Sequence, residues 1–164
     1  MLNFISQPAQ ALKEMVRVVR NGGPVGAYVW DYAGQMQLMR FFWEAAVALD
    51  PKALSLDEGQ RFPLCQPECL RHLFQTAGLE KVEVRSITIP TRFLDFDDFW
   101  TPFLGGQGPA PFYVRSLSEE QRDALRDHLQ AILPFKDDGS LHLSARAWAV
   151  RGASEKKETR PLSY

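Results

Sequence analysis

The sequence predicts a layered α/β fold built as one domain. Its 164 residues are 45% hydrophobic and 24% charged, which is the composition of an ordinary globular protein of single-domain length. Residues 24–30, PVGAYVW, are apolar throughout, as in a strand covered on both faces by helices. Segments with helical periodicity alternate with this strand and two later ones, so helices are expected to pack against a sheet.

Three helices are predicted before residue 80, each from its apolar spacing and its end signals. Residues 7–20 carry Pro8 in the first turn and end at a Gly-Gly turn. Residues 35–49 have an apolar stripe and are followed by Pro51. Residues 67–77 begin with a proline and end at Gly78, which suits the left-handed conformation of a helix C-cap.

Residues 82–89, VEVRSITI, and 141–150, LHLSARAWAV, are predicted as the two further strands. Between them, at about 91–135, lies an insert whose first part, residues 91–111, is aromatic and turn-rich and whose last part is predicted to be helical. Ser118 and Gln121 have the spacing of a capping box at the start of its last helix. The charged segment 153–164 is predicted to be a disordered tail.

Three aspartates near the start of the insert have two interpretations. A carboxylate cluster could bind Ca²⁺ or act in catalysis, but acidic residues are also favoured at the N-cap and first turn of a helix. The surrounding sequence favours capping. The residues are Asp95, Asp97 and Asp98.

Composition excludes several functional classes. Lysine and arginine total 19 against 20 acidic residues, so no basic surface for nucleic acid or an anionic membrane is expected. No apolar run approaches the roughly 20 residues that span a bilayer, and the N-terminus has no signal-peptide pattern, so a cytoplasmic location is expected. Cys65, Cys69 and His72 would give only three zinc ligands, and no metal is predicted.

The glycine-rich segment 104–109, LGGQGP, lacks the features of a phosphate-binding loop. It follows a helix instead of a strand and contains no lysine, serine or threonine. Gly105, Gly106 and Gln107 also spell the tripeptide that peptide-chain release factors use, but the neighbouring sequence is not basic enough for contact with ribosomal RNA. The segment is predicted to be a loop over a pocket. None of the three histidines has the partners of a hydrolytic triad.

The sequence resembles the C-terminal half of class I S-adenosylmethionine-dependent methyltransferases of the type 11 group. Residues 2–32, LNFISQPAQALKEMVRVVRNGGPVGAYVWDY, are similar to the family segment that leads from the fourth strand into the fifth and contains E-M-x-R-V followed by G-G. The chain departs from this pattern at Gln7 and Asn21, where the family has an acid and a proline. Residues 62–84 and 141–152 resemble the segments around the sixth and seventh strands.

The resemblance implies an incomplete Rossmann-like sheet over residues 1–152, mixed in direction, with strands equivalent to the family's 5-7-6. It implies a helical cap over the substrate for the insert at about 91–135. It also implies that S-adenosylmethionine is held mainly by an N-terminal half whose motifs this sequence lacks, so this chain alone is expected to bind no cofactor and to be inactive. Asn3 and Phe4 correspond to a loop that borders the cofactor. On the substrate side the resemblance places Trp30, Tyr32, Met36, Arg61, Phe62, Trp100, Phe103 and Gln107. For each aromatic among them, core packing is the alternative, and for Arg61 the alternative is a solvated charge on a loop.

The sequence therefore leaves two functional hypotheses open. The first is a truncated or split methyltransferase polypeptide, in which residues 24–30 form an unpaired, apolar sheet edge. A homodimer is expected, either through that edge or by exchange of N-terminal segments, unless a partner chain supplies the missing half. The second hypothesis is a non-catalytic module that binds a small molecule or a protein.

Overall fold

The computed structural model describes residues 2–155, which form three strands and seven α-helices with short 3-10 turns between them. The predicted helices near the N-terminus are confirmed with small shifts in their ends. The strands are β1 Pro24–Trp30, β2 Leu79–Phe93 and β3 Leu141–Ser154. The helices are α1 Pro8–Val18, α2 Gln37–Leu49, α3 Glu58–Arg61, α4 Pro67–Thr76, α5 Phe96–Leu104, α6 Pro109–Ser116 and α7 Glu119–Ile132.

The three strands form one sheet in the order β1-β3-β2, with β3 antiparallel to both neighbours. The prediction of a mixed sheet was wrong for these residues, because β1 and β2 run parallel to each other but are separated by β3. β2 is longer than predicted and contains Pro90, which an edge strand tolerates because one side of its backbone needs no ladder hydrogen bond. β3 continues through Ser154, so the prediction of a disordered tail was wrong for residues 153 and 154. Most of the rest of that prediction falls on residues 156–164, which lie outside the described part of the chain.

Two hydrophobic cores support the sheet. One joins α1 and α4 to one face of the sheet through Leu12, Leu70, Phe74 and Val29. The other joins α2 and the cap helices α5 to α7 to Leu141 and Leu143 at the start of β3. The cap is therefore packed on the sheet and is not a separate lobe.

The prediction that β1 is buried on both faces was wrong. Val25 and Val29 are buried, but Tyr28 is 56% exposed, and Ile87 on β2 lies on the same face and is 53% exposed. The sequence of β1 has no polar residues, so it shows no alternation of polar and apolar positions that would identify an exposed face. Gly26 and Ala27 are small enough to lie on either an exposed or a covered face. Within residues 2–155, helices cover only one face of this part of the sheet.

The predicted end signals are confirmed. Asp95 is the N-cap of α5 and accepts a hydrogen bond from the Asp98 amide, so the acidic cluster includes a helix cap as the capping interpretation predicted. Ser118 and Gln121 form a complete capping box at α7. Gly78 follows α4 with a φ of +83°, a conformation that glycine adopts without strain. No helix among residues 2–155 is long and apolar enough to cross a membrane.

Candidate functional site

A cavity of about 460 Å³ opens beyond the carboxyl end of β1. Its walls come from the turn after β1, the start of α2, the α3 turn and the connection between α5 and α6. This volume lies within the range of about 300–1,000 Å³ that small-molecule sites occupy. The lining is mostly apolar or aromatic and includes Phe4, Tyr32, Met36, Met39, Glu58, Phe103, Gln107 and Pro109.

The turn after β1 is fixed by a buried aspartate. Asp31 Oδ2 accepts hydrogen bonds from the Gln35 amide at 2.7 Å and from Arg146 Nε on β3, also at 2.7 Å. The Arg146 guanidinium also lies over the Trp148 ring, 4.6 Å from its centroid. Backbone hydrogen bonds also join Asp31 and Gln35, the two ends of the turn, to Arg146 on β3. These bonds hold the turn in place, and Tyr32 and Met36 line the cavity.

A second ion pair holds α3 against α2. Arg40 donates to both oxygens of Asp57, at 2.9 and 2.8 Å, and to the Tyr32 carbonyl at 3.0 Å. Asp57 is also the N-cap of α3 and accepts from the Gly59 amide at 2.8 Å. A Cβ on Gly59 would lie 2.7 Å from Arg40 Nη1, so a side chain at this position would disturb the pair. This network positions the next residue, Glu58.

Glu58 is the only acidic residue that lines the cavity among the described residues. It is 5% exposed, and Oε2 accepts a short hydrogen bond from the Trp43 indole. Burial raises the pKa of Glu58 above its usual range. Burial also raises the pKa of Tyr32 to about 12, and the negative charge of Glu58 adds to that shift. The cavity therefore combines aromatic walls with one buried carboxyl group.

The residues that the sequence analysis placed on the substrate side are divided between the cavity and its surroundings. Tyr32, Met36, Phe103 and Gln107 line it, together with Phe4. Phe62 does not line the cavity but packs against two residues that do. Its ring centroid lies 5.4 Å from that of Phe4 and 6.0 Å from that of Tyr32. The others do not line the cavity either.

Trp100 is 1% exposed in the cap core, where the packing alternative applies. Trp30 is half-buried beside the second core. Arg61 is exposed, and its guanidinium carbon lies 5.8 Å from the centroid of the Phe62 ring. Sequence reasoning did not identify Glu58, Asp31 or Asp57, although Asp57 has the spacing of an N-cap before Gly59.

The residues near the N-terminus could form only one side of a binding site for S-adenosylmethionine. Asn3 is buried, and neither its amide nitrogen nor its amide oxygen has a hydrogen-bond partner among the described residues. Phe4 is exposed and lines the cavity. The glycine loop between a strand and a helix, and the acid that would hold a ribose, have no counterpart in residues 2–155. No catalytic step through the cofactor follows from these residues.

No group of three or more His, Cys, Asp or Glu side chains in the described part of the chain could hold a metal ion. Cys65 is buried in the second core, and Cys69 is exposed on α4. Burial raises the pKa of the Cys65 thiol to about 12. Cys65 therefore packs as a small apolar side chain in the second core.

Comparisons with known proteins do not identify a family. No protein-family model matches the sequence, and no curated protein matches it. Among solved structures, a Bacillus halodurans protein that is described provisionally as a methyltransferase matches with 12% identity and a TM-score of 0.47. The match covers 94% of this chain and 61% of the other, so this chain spans about three fifths of that protein's length. A likeness of this size assigns no function, which has to be inferred from the cavity.

Proposed function

We propose that this chain forms the acceptor-binding part of an S-adenosylmethionine-dependent methyltransferase and holds a small ring compound in the cavity beyond β1. One observation carries the proposal: the cavity outside the carboxyl end of β1 has the volume and the mostly apolar lining of a small-molecule site. Tyr32, Met36, Phe103 and Gln107, which the sequence resemblance assigned to the substrate side, line it.

The proposal also agrees with the sheet and with the sequence motifs. The order β1-β3-β2 with antiparallel neighbours is compatible with strands 5-7-6 of the methyltransferase family. Glu14, Met15, Arg17 and Val18 on α1, followed by Gly22-Gly23, supply the E-M-x-R-V and G-G pattern. Methyl transfer requires the acceptor and the sulfonium carbon to be held in line at near-attack distance. The chain's own share of that task is to orient the acceptor, and alone it is inactive.

The acceptor part of the proposal is tested by calorimetric titration with naphthalen-1-ylmethanol. Met36→Trp would fill the cavity and is expected to abolish binding, whereas Met15→Trp on α1, outside the cavity, is the matched control and is expected to leave binding unchanged. Equal binding by both variants, or no binding by the wild type, would contradict the proposal.

A non-catalytic binding module is the second candidate, and it is favoured by the absence of cofactor-holding groups from residues 2–155. Titration with S-adenosylmethionine separates the two if binding is measured. Weak binding, on the order of millimolar and lost in Asn3→Ala but kept in the exposed control Gln10→Ala, favours the methyltransferase, because Asn3 has an unsatisfied buried amide. No heat of binding in any of these proteins would fit both the module and a methyltransferase half that binds no cofactor alone.

We further propose that two copies of the chain pair through β1. No strand pairs with its outer edge in the described residues, and Pro24 is the only residue of β1 that hinders edge pairing. A dimer at micromolar concentration is expected in sedimentation. Tyr28→Lys should weaken dimerisation by about tenfold or more, because each copy would then carry a positive charge on the paired strand. Ile87→Lys, on the same face but on the other edge strand, should not. A monomeric wild type would count against this proposal.

A further inference from the structure

Glu58 and Asp57 are adjacent carboxylates in very different surroundings. Asp57 is paired through both oxygens with the Arg40 guanidinium. Glu58 lines a cavity with apolar walls, and its side chain accepts a hydrogen bond from the neutral indole of Trp43. A carboxylate away from water is strongly destabilised unless a positive charge is close to it.

No cation of the described residues forms an ion pair with Glu58. Arg40 is engaged with Asp57 and with the Tyr32 carbonyl. Arg61, one turn along α3, is exposed and lies over the outer Phe62 ring. The ion pairs found among residues 2–155 do not include Glu58. The cavity therefore contains an acid that has no ion-pair partner in this part of the chain, although the charge of Arg61 acts on it from a distance.

Aromatic rings surround the same space. Phe4, Tyr32 and Phe103 line the cavity, and ring faces attract cations in addition to burying apolar groups. A carboxylate together with aromatic walls is complementary to a molecule that has an apolar ring and a protonated amine. Neither an anionic nor a purely hydrocarbon ligand would supply a positive charge to the Glu58 carboxylate.

We infer that the cavity binds a lipophilic amine, with its ring against the apolar wall and its ammonium group paired with Glu58. The identification of this amine as the methyl acceptor rests on the proposed function, whereas amine binding itself does not. The two proposals can therefore fail separately. Methyl transfer without amine binding would contradict only the inference, and amine binding without methyl transfer would contradict only the proposed function.

Three naphthalene probes of similar size test the inference by calorimetry at pH 7.5. Naphthalen-1-ylmethylamine is expected to bind at least about tenfold more tightly than naphthalen-1-ylmethanol, and naphthalene-1-carboxylate is expected to bind most weakly, because a hydrogen bond to a charged group adds that much affinity. This order is measured on the wild type and needs no variant. Alcohol or carboxylate binding as tightly as the amine, or no binding by any probe, would overturn the inference.

Glu58→Gln keeps the size of the side chain and its acceptor for Trp43 but removes the charge. The preference for amine over alcohol is expected to fall to about one in this variant. Glu44→Gln on α2 makes the same change in net charge at an exposed position outside the cavity and should keep the preference. An unchanged ratio in a folded Glu58→Gln protein would overturn the role of Glu58.

Discussion

Asp57→Ala is expected to lower the free energy of unfolding by about 3–5 kcal/mol, because it leaves the part-buried Arg40 guanidinium without its bidentate partner. The same change removes the N-cap of α3, so the segment that carries Glu58 into the cavity is loosened as well. Urea denaturation followed by tryptophan fluorescence measures the stability. Ligand titration should show weaker binding in the same variant.

Asp50→Ala is the matched control for this change. Asp50 is also an N-cap, accepting from the Lys52 amide at 3.0 Å, but it forms no ion pair among those found in the described residues. Its loss should cost about 1 kcal/mol, the usual value for an N-cap. Equal destabilisation by the two substitutions would show that the Arg40 pair contributes nothing beyond capping.

Phe103→Ala is expected to lower the free energy of unfolding by about 3–5 kcal/mol, the typical loss for a fully buried phenylalanine. Phe103 is 2% exposed and stacks on Phe42 with their ring centroids 4.3 Å apart, while it also contacts Phe99 and Trp100. The side chain both anchors the cap and forms part of the cavity wall, so the variant should also bind naphthalene probes less tightly.

Leu104→Ala tests the adjacent position on the same helix. Leu104 is 51% exposed, so its truncation should change stability by less than about 1 kcal/mol. Thermal and urea unfolding of both variants give the comparison. A large loss in Leu104→Ala, or a small one in Phe103→Ala, would contradict the packing described for the cap.

Local signals in the sequence predicted local structure well. Pro8 and Pro67 stand at the starts of α1 and α4, and Gly78 follows α4, because these residues act through their own backbone geometry. The capping interpretation of Asp95 was confirmed for the same reason. Strand pairing and coverage depend on residues far apart in the sequence, so the open face of β1 and the direction of the sheet were not predicted correctly.

The candidate site was predicted only in part, and the missing residues share one cause. Glu58 lies in a charged segment that is typical of an exposed loop. In the fold it is buried, and the neighbouring Asp57 pairs with Arg40, which precedes Asp57 by 17 residues. Asp31 is buried by Arg146, 115 residues away. The aromatic residues were easier to identify as candidates, but Trp100 and Phe103 could not be distinguished as core and cavity residues before the cap was folded.

The location of the binding site is tested most directly by NMR of methyl-labelled methionine during titration with naphthalen-1-ylmethylamine. Met36 and Met39 line the cavity, whereas Met15 lies outside it on α1. Binding in the cavity predicts that the Met36 and Met39 methyl resonances shift with the ligand concentration and that the Met15 resonance does not. Shifts at Met15 with none at Met36 and Met39 would contradict the assignment of the cavity as the ligand site.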